Sequence, residues 1–289
     1  MSRSIGYSHA ILLAIGLFSI LVLRPSFAHA TSSEQFFNQE GHIYDDWGIY
    51  RTRATGADGF LRVTITGFDP IIAMESLEDN IDGAWQLGVA FARKYPDRSQ
   101  RAEQIFYFVR DHVKYTSDNE QFGTREFARN ADEMVKTIEM HGIAKGDCED
   151  STILLAILYK AAGFRSAVVL MPGHVATLVY LPEYRKAARK LTLAGEPGWL
   201  WAEATGGTNP FGWVPEGLLT GKISGVEVMN SPSENAPGRT SMVHLENKSP
   251  TRPKGTWISQ TGILGFLGSI GFIWLISGRI PRSRPTTKH

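Results

Sequence analysis

Between Cys148 and Gly163 the chain carries the run Ile153-Leu154-Leu155-Ala156-Ile157-Leu158, and Ala161 and Ala162 extend its apolar face. That face is too broad for a helix lying on a surface, so the segment is expected to be a central helix, buried on most sides. Gly163 is the stop signal expected at its C-terminus. Beyond it the pattern changes from helical to alternating. Residues 165–171, 174–181 and 199–204 read as strands and 211–214 as a possible fourth, with Pro172-Gly173 as a tight turn. Three helical patterns precede the central one, at 81–95, 99–113 and 130–140. Ser99 is placed to cap the second, and Asn130 with Glu133 forms a capping-box pattern at the third. A helical block followed by an antiparallel sheet predicts an α+β domain, with the Cys148 helix packed on the sheet. Further upstream, residues 60–68 alternate Leu61, Val63 and Ile65 against Arg62, Thr64 and Thr66. They are expected to form one half-buried strand beside 47–52.

The ends of the sequence suggest export. Arg3, the apolar stretch from Ala10 to Leu23 and Ala28-His29-Ala30 read as a signal peptide over 1–30. Residues 257–278 contain no charged residue and are long enough to cross a hydrocarbon core of about 30 Å as a transmembrane helix. The arginines and lysine of 279–289 then predict a cytoplasmic basic tail, leaving the bulk of the chain outside the cytoplasm at the cell membrane. Residues 224–256, rich in Ser, Pro, Asn and Gly, read as a flexible stalk. About 190 residues then remain for a single domain: N-terminal strands and a helix over 31–98, and a core over 99–223. A formal net charge of +1 gives no reason to expect a nucleic-acid partner.

Cys148 is the sole cysteine, so it has no intramolecular disulfide partner. Three readings remain open: a buried inert thiol, an intermolecular bridge, and a nucleophile. Its place at a helix start favours the last, because the amide dipoles there stabilise negative charge. A thiol catalyst also needs a base and a group that orients the base. His174 opens a strand and is the candidate base. Glu203, on the adjacent strand, is the candidate orienter. Asp147, Glu149 and Asp150 flank the thiol and oppose its ionisation, so a structural role is expected for them. Asp147 suits a helix cap, and Glu149 or Asp150 suits a pair with Arg165 or Lys145. No metal is expected, because no His or further carboxylate lies at a supporting spacing, and no other cofactor is implied.

The ordered set Gly146-Asp147-Cys148-Glu149-Asp150, Ala162-Gly163-Phe164-Arg165, Gly173-His174-Val175 and Trp201-Ala202-Glu203-Ala204-Thr205 resembles the core of the transglutaminase-like superfamily. The likeness runs from about Ala102 to Pro215, and includes a leading helix closed by Val113-Lys114-Tyr115. It implies a papain-like fold with Cys148 as nucleophile, His174 as base and then acid, and Glu203 as the third member of the triad. The implied activity is cysteine-dependent amide hydrolysis or acyl transfer through a thioester, on a protein or peptide with an amide or glutamine-type group. The sequence departs from the family twice. Glu203-Ala204-Thr205 stands where an Asp-Pro-Thr is common, and Ala176 and Thr177 stand where many members carry an aromatic residue. A non-catalytic binding or assembly module that kept the fold is the reading from a different class.

Overall fold

The computed structural model describes residues 35–75, 83–215, 223–229 and 240–245. An N-terminal sheet holds β1 (Phe36–Gln39), β2 (His42–Asp45), β3 (Tyr50–Gly56), β4 (Gly59–Thr64) and β5 (Gly67–Asp69), side by side in sequence order. The single strand expected over 60–68 is therefore two. Thr64 pairs with Gly67 and the chain folds back between them, leaving Ile65 exposed at the tip and Val63 facing water, while Leu61 is buried. The alternation continued across a two-residue turn, and Gly67 was the only local sign of it.

The helical block follows: α1 (Ile71–Glu75), α2 (Gly83–Lys94) and α3 (Arg98–His112), then strand β6 (Val113–Tyr115), α4 (Asp118–Phe122) and α5 (Ala131–His141), then β7 (Ala144–Gly146) and α6 (Cys148–Ala161). The capping box at α5 is present, with Asn130 Oδ1 accepting from Glu133 N at 2.8 Å and the Glu133 carboxylate accepting from Asn130 N at 3.0 Å. At α3 the cap is Asp97 rather than Ser99. Its carboxylate accepts from Gln100 N at 2.7 Å, so the helix starts just before Ser99 and takes that residue into its first turn. Every residue of α6 from Glu149 to Tyr159 is buried. Its close approach to α2 depends on Gly88, where a Cβ would sit 2.5 Å from the Ala161 Cβ and 2.7 Å from the Leu158 carbonyl oxygen.

After α6 come β8 (Ser166–Met171), β9 (His174–Tyr180), β10 (Leu191–Leu193), β11 (Glu196–Ala202), β12 (Ser224–Glu227) and β13 (Ser241–Leu245). They close into a barrel in the order β10-β11-β9-β8-β12-β13. Period-two alternation divides its side chains between two cores. Val168, Val175, Val179, Leu200 and Ala202 pack outward on the helices, whereas Ala167, Val169, Met171, Leu178, Trp199 and Trp201 fill the barrel. Irregular chain carrying Arg185, Lys186, Arg189 and Lys190 connects β9 to β10. Phe211 to Val214 is a turn rather than a strand, and Phe211 is drawn into the helical core against Phe106, Tyr159 and Tyr184.

The stalk expected from residue 224 is corrected at its start. β12 pairs with β8, β13 pairs with β10 and β12, and Val226, Val228 and Val243 are buried. Valines that looked scattered in the sequence are buried positions: Val226 of β12 and Val228 just after it pack against the helical core, and Val243 of β13 fills the barrel. The segments read as signal peptide (1–30), transmembrane helix (257–278) and basic tail (279–289) lie outside the described residues. Among the described residues, no helix is long and apolar enough to cross a membrane.

The N-terminal sheet is fastened to the helical block by one buried cation. Arg51 pairs with Asp45, donates Nη1 to the Ala128 carbonyl oxygen at 2.8 Å, and meets both carboxylate oxygens of Glu133 at 2.9 and 3.0 Å. The capping-box glutamate thus also serves as the anchor of this fork-to-carboxylate contact.

Candidate active site

The site begins with a pair of strands too short to show any period. β6 lies parallel to β7, with Tyr115 opposite Gly146, and this pairing delivers the chain to the start of α6. Gly146 is required by the tight fit, since a Cβ there would lie 2.9 Å from Asp150 Oδ2 and 3.1 Å from the Met134 methyl carbon. Cys148 is half-buried in the first turn of α6. Two threonines lock that helix onto β9. The Thr152 hydroxyl donates to the Val175 carbonyl oxygen at 3.1 Å, and the Thr177 hydroxyl donates to the Thr152 carbonyl oxygen at 2.9 Å. Thr177 therefore occupies its position as a helix clamp, where the resemblance leads one to expect an aromatic residue nearby.

His174 is the first residue of β9, paired with Met171 across the hairpin from β8, and it is buried. Its Nε2 is hydrogen-bonded to Glu203 Oε2. Glu203 follows directly on β11, whose Ala202 pairs with Thr177, so the carboxylate arrives as a neighbour from the adjoining strand. The other oxygen, Oε1, accepts from the Thr205 amide at 3.2 Å and from the Thr205 hydroxyl. Both carboxylate oxygens are thus held, and the longer side chain of Glu reaches the imidazole. The amide of Val175, next to His174, faces the Cys148 sulfur. The structure therefore joins His174 to Glu203 and sets Cys148 against the head of the strand that carries His174.

The state of the thiol differs from the acidic one that the nucleophile reading calls for. Burial pushes the Cys148 thiol well above its ordinary value, the neighbouring Glu149 and Asp147 carboxylates add to this, and the Val175 amide opposes it. The Cys148 S–H donates to Glu149 Oε2 at 3.2 Å. Burial and the contact with Glu149 thus both favour the protonated thiol. Nearby, burial with Cys148 and Asp147 pushes the Tyr115 phenol up to about 12.

The expected partners of the flanking acids also change. Asp147 stands at the cap position of α6, but its side chain makes no capping hydrogen bond. Asp150 pairs with Arg129 at 2.8 Å and accepts from the Arg129 amide at 2.8 Å, rather than meeting Lys145 or Arg165. Arg165, just before β8, instead meets Glu227 of the neighbouring β12 and Glu196 at the start of β11. Proximity in sequence suggested the wrong cations, because the loop before α5 brings Arg129 back over the start of α6.

The spacing argument against further carboxylates fails in three dimensions. Asp118 of α4 and Glu126 of the loop after it arrive beside Asp147, Glu149 and Asp150. Burial, followed by the charges of Asp147 and Asp150, pushes Asp118 up to about 8, and burial with Asp150 pushes Asp147 up to about 6. Two oxygen-ligand groups result, Asp118 with Glu126 and Glu149, and Asp118 with Asp147 and Asp150. In each, one oxygen per residue lies within 4.8 Å of the others. A mixed group adds the Cys148 sulfur to Asp147 and Glu149. Sequence reasoning missed Asp118 and Glu126 because they precede Cys148 by 30 and 22 residues, on a five-residue helix and in the loop after it, where no periodic pattern shows. Tyr115 was visible as the end of the leading helix, though not as a neighbour of the thiol.

A family model described as the transglutaminase-like superfamily matches residues 86–215, from within α2 to just beyond the Glu203 strand. No curated protein matches the chain.

Proposed function

We propose that this chain, whose residues 86–215 form a transglutaminase-like superfamily domain, is a cysteine-dependent amide hydrolase or acyltransferase that works through a Cys148-His174-Glu203 triad. The observation that carries this reading is the His174–Glu203 hydrogen bond at the head of β9, one residue from the amide that faces the Cys148 sulfur.

The tautomer follows from that bond. Nε2–H donates to the Glu203 carboxylate, so the imidazole lone pair is on Nδ1. Nδ1 takes the thiol proton as the sulfur attacks an amide carbonyl, and Glu203 stabilises the imidazolium that forms. Burial favours the protonated thiol, which suits transfer of the proton during attack rather than before it. The tetrahedral oxyanion meets amide N–H groups at the start of α6, where the helix dipole adds to their effect. The imidazolium then protonates the departing amine, leaving an acyl thioester on Cys148. Water releases an acid, or a second amine takes the acyl group. Substrates are proteins or peptides bearing an accessible amide or glutamine-type group.

Location is a separate part of the proposal and rests on the sequence of 1–30 and 257–289, which suits an extracytoplasmic domain with a membrane tether. Membrane fractionation with protease accessibility of the domain in intact cells tests it. The catalytic reading is tested by incubating the chain with extracytoplasmic extract and searching Cys148 for an acyl adduct by mass spectrometry. The expected result is a thioester on Cys148 that hydroxylamine removes and His174→Ala prevents. Absence of any adduct, with a host phenotype that survives Cys148→Ala, leaves the non-catalytic binding module as the better reading.

A further inference from the structure

The fold has two ends, set by α6 and β9. The helix rises about 20 Å from Cys148 to its C-terminus, and the strand runs about 20 Å from His174 to Tyr180. Cys148, His174 and Glu203 share one end. Positive charge gathers at the other. The chain from β9 to β10 carries Arg185, Lys186, Arg189 and Lys190 there. The corner between α2 and α3 adds Arg93, Lys94 and Arg98 beside it. Arg98 fixes that placement, meeting Glu183 at 3.1 Å and the Gly163 carbonyl oxygen, just past α6, at 3.4 Å. All but Lys190 of these cations are exposed. The acids at this end are fewer: Asp97, Glu103, Glu183, and the Glu196 and Glu227 that hold Arg165. β13 ends there too, because its Leu245 pairs with Leu191, the residue after Lys190.

We propose that this basic end rests on the anionic headgroups of the bilayer to which residues 257–278 tether the chain, so that the triad opens away from the lipid. The proposal rests on the tether reading above and adds the surface that the tether brings to the membrane. Residues 246–256 separate Leu245 from that segment, a length that spans at most about 40 Å. A short tether keeps the patch at a high effective concentration beside the lipid, so a modest electrostatic attraction is enough to hold it. The field of a charged leaflet fades within a Debye length of about 10 Å. A chain that leaves the barrel beside Lys190 brings the basic end into that layer first, and leaves the triad roughly 20 Å farther out. Exposed cations at this density also repel one another, and a polyanionic surface removes that cost.

A fluorophore on Ala188→Cys in a full-length Cys148→Ala chain, reconstituted into vesicles with spin-labelled headgroups, reads the contact. Ala188 is exposed within the basic loop, and Thr208→Cys, exposed in the turn beyond Glu203, reports on the triad end. Vesicles of phosphatidylcholine with phosphatidylglycerol should quench the label at position 188 at least about twofold more than phosphatidylcholine alone. Salt at about 0.5 M should erase the difference. The label at position 208 should respond to neither change. Arg93→Glu with Arg185→Glu, both at exposed positions, should return the signal at 188 to its value in neutral vesicles. Flotation separates this proposal from the tether. A chain that floats with both vesicle types, yet is quenched equally at 188 in both, keeps its tether and overturns the proposal. A chain that does not float with neutral vesicles refutes the tether, and the basic face then stands only on anionic-vesicle binding that the double reversal abolishes. Retention on heparin that the reversal abolishes, without quenching by lipid, assigns the face to a soluble polyanion and overturns the proposal as well.

Discussion

Cys148 sits between two influences of opposite sign. The start of α6 and the Val175 amide favour a thiolate, while burial, Glu149 and Asp147 favour the thiol, and the second set prevails. A raised acid pKa means that reactivity toward an alkylating agent appears only as pH climbs past the range of a free thiol, about 8.5. Glu149→Gln removes one of the charges that hold the proton, so the iodoacetamide rate profile should move to lower pH. It should not fall to the strongly acidic range of an ion-paired thiolate, because burial and Asp147 remain. Rates measured from pH 6 to 10 in a chelating buffer decide the matter, and a profile unmoved by the substitution would show that Glu149 does not control the thiol. At this scale the sequence was informative where a residue stood at the end of an element. Cys148 opens a helix, His174 opens a strand and Glu203 follows one, so position alone aimed all three at one region. Asp118 and Arg129 gave no such signal, because each acts across the fold from a short helix or a loop.

Among the elements, α6 governs the arrangement of the rest. Its breadth of apolar sequence announced burial, and the four main helices and the β8, β9 and β11 strands fall within a few residues of their expected bounds. Elements of three residues were not legible, since β6 and β7 show less than two periods of any pattern and exist because they pair with each other. The packing of α2 on α6 is the contact most sensitive to a single atom. Gly88→Ala places a methyl group 2.5 Å from the Ala161 Cβ and against the Leu158 carbonyl oxygen, so the helices must separate. Overpacking of this kind costs about 1–3 kcal/mol, more than the gain of roughly 1 kcal/mol in helix propensity from Gly to Ala. A lower Tm is expected for Gly88→Ala. Gly83→Ala, in the same helix but with no atom nearer than 3.6 Å, should be neutral or slightly stabilising. Equal melting temperatures for the two variants would mean that the α2–α6 approach is looser than the geometry indicates.

For the molecule as a whole, the barrel is completed by chain that reads as linker. Val226 and Val228 lie two residues apart on and just after β12, and Val243 is the centre of β13. The surrounding Ser, Pro, Asn and Gly content hides them from any composition-based boundary. These strands cover β8 on one side and β10 on the other, so without them both become open edges. Full burial of one valine is worth roughly 1.5–3 kcal/mol. Three of them represent a large part of a typical net stability of about 5–15 kcal/mol. A chain ended after residue 222 should therefore lose most of its soluble yield or melt far below the chain ended after residue 245. Under the linker reading the two would behave alike. The consequence reaches the site, because β8 holds β9 in register, and β9 carries His174 and the Thr177 clamp that keeps α6, and with it Cys148, in place. Circular dichroism melts of the two truncations, with Cys148 alkylation rates in whatever remains folded, connect closure of the barrel to the geometry of the triad.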